Sequence, residues 1–243
     1  MAPTMITTIT AYKFITLASD ELLTLQEQCQ QQATMHALKG TILLSVEGIN
    51  LTVAGSQEAV DAFKQFLSGY SFFSDLLYKE HQSLVSPFKK FRVRIKKEII
   101  TMGCSDIQPE FKTAPYISPQ TLQEWYREGK EMILLDARNA FEVSLGTFVD
   151  AIDLNLKSFS EFPDALHQLS ASLKKKTIVT FCTGGIRCEK ASALMLRKGF
   201  QDVYQLEGGI LSYLATCNGE YFNGNCFLFD NRITLKPDEH AHY

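Results

Sequence analysis

Hydrophobic and polar positions along the first hundred residues switch between the two spacings that mark strands and helices. Thr7 to Leu17 is rich in β-branched and aromatic residues and predicts a strand. Leu22, Leu23, Leu25, Cys29, Ala33 and His36 then recur at roughly helical spacing, with Ser19 and Asp20 as caps and Gly40 as the stop. TILLSV and INLTVAG, parted only by Glu47 and Gly48, predict neighbouring strands joined by a tight turn. A second helix from Ser56 to about Leu67 sets Val60, Phe63, Phe66 and Leu67 on one face. Two more strands are expected near Leu76–Lys79 and over Phe91–Ile100. The order β-α-β-β-α-β is the split βαβ, or ferredoxin-like, pattern, an α+β arrangement.

From Met102 to Pro115 the periodicity fades and two prolines appear, so a domain boundary is placed there. The rhythm that follows suits a parallel sheet. Ser118-Pro119 reads as a cap with proline at the first helical position, and that helix stops at Gly129. MILLD and TIVTF are short, nearly continuous apolar runs of the kind buried on both faces. A helix from about Cys188 to Lys198 ends at Gly199, and DVYQL is a further strand. The division expected is 1–108, 114–215 and a tail over 216–243: two unlike α/β domains.

Composition narrows this picture. The 243 residues are 45% hydrophobic and 21% charged with a net charge of -3, which excludes disorder, collagen and coiled coil. No apolar run approaches the ~20 residues of a membrane span, and MAPTMITTIT lacks the pattern of a secretory signal. Six cysteines are too sparse for a disulfide-stapled scaffold, so a reducing, cytoplasmic setting is expected. The modest charge argues against bulk nucleic-acid binding.

The stretch TIVTFCTGGIRCEKA carries the chemistry. A buried strand ends at Phe181, Cys182 follows, Gly184 and Gly185 let the loop curl, and a helix begins near Cys188. Open α/β sheets place ligands at such strand ends. Inward N–H groups and a helix N-terminus favour an anion, so Cys182 is expected to be a low-pKa thiolate nucleophile. Cysteine phosphatases need arginine six positions after the nucleophile; here that position is Cys188, and Arg187 falls one short.

Over roughly Ala114 to Leu214 the chain resembles a rhodanese domain. The matching residues are Asp136, Arg138 and Glu142 in LLDARNAFE, the Cys182 loop, and LEGGI at Leu206–Ile210. Gly146-Thr147 and Asp150-Ala151 depart from the common Gly-His and Gly-Ala. The resemblance implies a rhodanese-like α/β domain with a parallel sheet, and a site loop of Cys182, Thr183, Gly184, Gly185, Ile186, Arg187 and Cys188. Asp136 and Arg138 would organise that site or merely brace the fold.

KGTILLSVEGINLTVAGS, FKKFRVRIKKEIITMG and CTGGIRCEKA together resemble the TrhO family, rhodanese-containing tRNA uridine hydroxylases. That likeness implies oxygen-dependent 5-hydroxylation of the wobble uridine, with molecular oxygen as co-substrate and the tRNA anticodon arm as partner. A plain sulfurtransferase acting through a Cys182 persulfide is the alternative. No flavin, haem or non-haem-iron motif is identifiable, and no protein partner or membrane contact is indicated.

The local pattern fits a polyanion partner. In FRVRI, Phe91, Val93 and Ile95 alternate with Arg92 and Arg94, and Lys89, Lys90, Lys96 and Lys97 extend a basic stripe. It reads either as a phosphate-tracking surface or as an ordinary solvated strand face. Tyr70, Phe72, Phe73 and Phe91 are either base-stacking or core residues. Cys188 is a resolving thiol or a small buried residue. Cys29 and Cys104 look structural. Cys217 and Cys226 with His240 and His242 match no tight zinc spacing, so no metal is expected.

Overall fold

The computed structural model describes residues 5–228 and the backbone of 234–235. They fall into two compact units, the first ending at Ile100 and the second beginning at Thr101. His240 and His242 lie outside the described residues.

The first unit runs β1 (Ile6–Phe14), α1 (Ser19–Met35), β2 (Lys39–Ser45), β3 (Gly48–Gly55), α2 (Gln57–Ser68), β4 (Lys79–Ser83) and β5 (Phe91–Ile95). Its sheet has the order β4-β1-β3-β2-β5. Each adjacent pair among the first four strands is antiparallel, the ferredoxin-like arrangement, while β5 joins the free edge of β2 in parallel. Ile9, Ile42, Leu44, Leu51 and Val53 form a core with Leu25 and Cys29 of α1 and Val60, Phe63 and Leu67 of α2.

Several expected boundaries shift. Ser19 and Asp20 lie within α1; its N-cap is Ala18, whose N–H donates to the Glu21 carboxylate at 3.2 Å. Leu23 is 67% exposed, so the buried stripe is Leu22, Leu25, Cys29 and Ala33. Gly40 does not stop the helix. Ala37 takes the left-handed conformation (φ 53°), and Gly40 sits in β2 with φ 138°, where a Cβ would stand 2.1 Å from the Thr52 carbonyl oxygen. The fourth strand lies at Lys79–Ser83 rather than Leu76–Lys79. The strand predicted to reach Ile100 ends at Ile95, after which the Ile99 N–H donates to the Glu47 carboxylate at 2.6 Å.

The second unit contains β6 (Tyr116–Ile117), α3 (Pro119–Arg127), β7 (Ile133–Asp136), α4 (Ala140–Val143), β8 (Gly146–Phe148), β9 (Ile152–Asp153) and α5 (Phe162–Gln168). It continues through β10 (Thr177–Phe181), α6 (Ile186–Arg197), β11 (Asp202–Leu206), α7 (Gly209–Cys217), β12 (Phe222–Gly224), β13 (Cys226–Phe227) and β14 (Thr234–Leu235). The main sheet, β6-β11-β10-β7-β9, is parallel throughout. Ser118 caps α3 through the Thr121 N–H at 3.0 Å, with proline in the first turn. The segment read as a boundary packs onto this unit: Met102, Ile107 and Ala114 are buried, and Gln205 donates to the Ala114 carbonyl at 2.9 Å.

Candidate active site

Strands β7 and β10 run side by side and end together, with Phe181 in register with Asp136. The chain leaves β10 into Cys182, and α6 begins at Ile186, two residues earlier than expected, with Gly185 at φ 102° as its N-cap. That left-handed glycine turns the backbone so that the Gly185 N–H donates to Cys182 Sγ at 3.1 Å. Cys182 is buried; Gly184 and Ile186 are the half-buried positions at the rim of the loop.

Burial alone would raise the Cys182 pKa. The Cys188 side chain, the Arg187 guanidinium and the Arg187 and Gly185 N–H groups outweigh it, and the thiol is lowered to about 5. Cys188, in the first turn of α6, is pushed the other way by burial and by the neighbouring Cys182 sulfur. The loop thus favours the anion on Cys182 and the proton on Cys188.

Arg187 does not reach outward as a phosphate clamp. It makes a two-pronged ion pair with Glu142 of α4, with Nη1 to Oε2 at 2.6 Å and Nη2 to Oε1 at 2.8 Å, and both side chains are buried. Thr183 Oγ1 donates to the same carboxylate at 3.3 Å. The Asn139 N–H also donates to Glu142, at 3.1 Å, so the acid is fixed from its own helix start.

Asp136 and Arg138 are brought together and fully buried, with Arg138 Nε and Nη2 reaching the carboxylate at 2.9 and 2.7 Å. Arg138 also donates to the Gly146 carbonyl at 2.6 Å, and Thr147 Oγ1 donates to Asp136 at 2.8 Å. These bonds tie the end of β7 to β8. Their link to the cysteine loop is through the backbone, where the Ala137 N–H donates to the Phe181 carbonyl at 2.9 Å.

The LEGGI segment supports the loop from behind. The Ile210 and Leu211 N–H groups donate to the Cys182 and Thr183 carbonyls at 2.9 and 3.1 Å. Gly209 is required by this closeness, since a Cβ there would stand 2.4 Å from the Cys182 carbonyl oxygen. Glu142 and Gly209 were legible only as members of the rhodanese-like motifs. The Asn139-x-x-Glu142 spacing signals a capping box, but nothing in it points to Arg187, 45 residues on.

The basic stripe belongs to the first unit. Lys89, Lys90, Arg92, Arg94, Lys96 and Lys97 are all exposed, while Phe91, Val93 and Ile95 are partly buried against the core. Phe73 is core, and Tyr70 and Phe72 stack on each other with centroids 5.3 Å apart. Burial pushes the Cys29 and Cys226 thiols up to about 12, marking both as unreactive. Among the described residues no group of three or more His, Cys, Asp or Glu is placed to hold a metal. No described helix is long and apolar enough to cross a membrane.

Comparison with known proteins adds two family matches. Residues 6–99 match the UPF0176 acylphosphatase like domain, and residues 118–216 match the rhodanese-like domain. A tRNA uridine(34) hydroxylase of Bordetella petrii is 48% identical over 234 residues, covering 94% of this chain and 92% of its own. Its namesake in Cupriavidus taiwanensis is 47% identical over 237 residues, covering 96% of this chain and 83% of its own. That of Bordetella avium is 48% identical, covering 96% and 97%.

Proposed function

From the premise that this chain belongs to the tRNA uridine(34) hydroxylase family, we propose that it installs a 5-hydroxyl group on the wobble uridine of tRNA, with Cys182 as nucleophile and molecular oxygen as co-substrate. The observation that carries the role of Cys182 is its place at the end of β10, in a loop whose Gly185 N–H donates to its sulfur at 3.1 Å; that contact is among those that hold the thiol below its ordinary range. A thiolate of this kind adds to C6 of a pyrimidine and makes C5 electron-rich, which is the position the reaction must oxidise. The amide and guanidinium groups stabilise the sulfur anion each time it is released.

The six exposed cations of β5 and its flanks serve as sequence-independent contacts to the phosphate backbone of the anticodon arm. Base identity is then read elsewhere. The sulfurtransferase reading rests on the same Gly185 amide, which would equally hold a persulfide, and on the rhodanese-like match over residues 118–216.

The deciding measurement is mass spectrometry of tRNA nucleosides from cells carrying the wild type, lacking the gene, or carrying Cys182→Ser. Loss of 5-hydroxyuridine and its derivatives in the second and third strains is expected. Unchanged levels in all three reject the hydroxylase reading, and a thiosulfate sulfur-transfer assay on the same variant then tests the alternative.

A further inference from the structure

Hydroxylation by molecular oxygen places one oxygen atom on the base, and the other must leave as water. Two electrons and two protons are needed to reduce that second atom. Two sulfurs meet at the site in complementary states. Cys182 and Cys188 are 1% and 0% exposed. Gly185 joins them, donating its N–H to Cys182 Sγ at 3.1 Å and accepting the Cys188 N–H on its carbonyl at 2.9 Å. Each of the two buried side chains shifts the titration of the other, Cys188 lowering Cys182 and Cys182 raising Cys188. Arg187 and Glu142 fix the turn between them. Thiolate against protonated thiol, enclosed together, is the arrangement from which a disulfide closes.

Resting on the hydroxylase reading above, we propose that the Cys182–Cys188 dithiol is the two-electron donor of the reaction, closing to a disulfide once for each base hydroxylated. Cys188 is then a catalytic residue, because its sulfur bonds to the reacting sulfur. The balance is complete. The O–O bond, the C5–H bond and the Cys188 S–H bond break, and one proton is taken up from solvent to offset the Cys182 thiolate; a C5–O bond, one S–S bond and three O–H bonds form. Uridine plus oxygen plus thiolate plus thiol plus one proton gives 5-hydroxyuridine, water and a disulfide. The base is oxidised by two electrons, the sulfur pair by two, and oxygen accepts all four. One oxygen atom ends as the base hydroxyl, and the other leaves as water with the Cys188 proton and the proton taken from solvent. A second turnover requires an external thiol: two R–SH become R–S–S–R and restore the pair.

The test uses the full-length protein, reduced anaerobically and freed of reductant, then mixed with excess tRNA transcript and exposed to air. About one 5-hydroxyuridine per chain is expected, followed by arrest. Peptide mass spectrometry after thiol blocking should show an equal amount of Cys182–Cys188 disulfide, and dithiothreitol should restart turnover. Cys188→Ser and Cys188→Ala, each checked for folding by circular dichroism, should lose the reductant-free burst and recover in part with dithiothreitol. The wild-type arm decides the matter whether or not those variants fold. Continued turnover with both thiols free, or equally fast disulfide formation without tRNA, overturns the dithiol role and leaves the hydroxylase reading standing. No 5-hydroxyuridine even with dithiothreitol overturns both.

Discussion

Four arginines divide between two regions of this chain and show how differently one side chain can be used. Arg138 and Arg187 are buried in the second unit, each forked onto a buried carboxylate. Arg92 and Arg94 stand exposed on β5 of the first unit, alternating with residues that face the core. A buried guanidinium is held by the cost of leaving it unpaired, so it becomes a rigid strut. An exposed one pays little to change partners, and so suits a surface that meets a polyanion. Burial, more than residue type, assigns the role.

The sharpest way to break this contrast is to remove one carboxylate. Glu142→Ala leaves Arg187 buried without its counter-charge and withdraws an acceptor from Thr183 and Asn139. A loss of about 3–5 kcal/mol is expected, measured by urea unfolding. Arg92→Ala on the exposed stripe should change stability by no more than about 0.5 kcal/mol. Similar costs at the two sites would show that Arg187 is not structurally committed.

What the sequence disclosed follows the same division. Local patterns were readable: the hairpin of β2 and β3, the Ser118-Pro119 helix start, the buried runs of β7 and β10, and the glycine loop at Cys182. The alternation in FRVRI correctly separated exposed from core-facing positions on β5. The edge strand β4 was misplaced because KEHQS offers no apolar alternation; its strand character comes from pairing with β1. Gly40 was misread because glycine is needed there by close approach to β3, a partner that periodicity does not reveal. The Glu142–Arg187 pair joins α4 to α6 across 45 residues, so only the folded chain brings it into view.

A smaller effect is expected from pH. Cys182 is lowered to about 5 in the folded protein, against about 8.5 for a free thiol. Its folded pKa lies below its unfolded one, so the thiolate's contribution to stability is complete above the free-thiol range. That contribution declines as pH falls and is gone below about 5. The single-turnover rate should be level near neutrality and fall about tenfold per pH unit below the Cys182 pKa. Because the Cys188 side chain is among the groups that lower this pKa, Cys188→Ala should move the inflection upward. An inflection already in the free-thiol range for the wild type would mean the loop does not stabilise the anion. Measuring tRNA binding over the same pH range separates a lost nucleophile from lost binding.

The smallest effect, and the one that sharpens the other side of the contrast, comes from reversing charge on β5. Arg92→Glu with Arg94→Glu leaves every buried group untouched, since both positions are exposed and their neighbours Phe91, Val93 and Ile95 keep the core contacts. Thermal unfolding should therefore match the wild type. Binding to tRNA should weaken, and the slope of log affinity against log salt should become shallower by about two, roughly one per lost phosphate contact. The salt slope is the informative quantity, because a nonspecific loss of structure lowers affinity without removing counterion release in proportion to the charges changed. If affinity and slope both stay at wild-type values, these arginines belong to a solvated strand face. The partner surface for RNA must then be sought on other residues, with the buried chemistry of the Cys182 loop unaffected by that result.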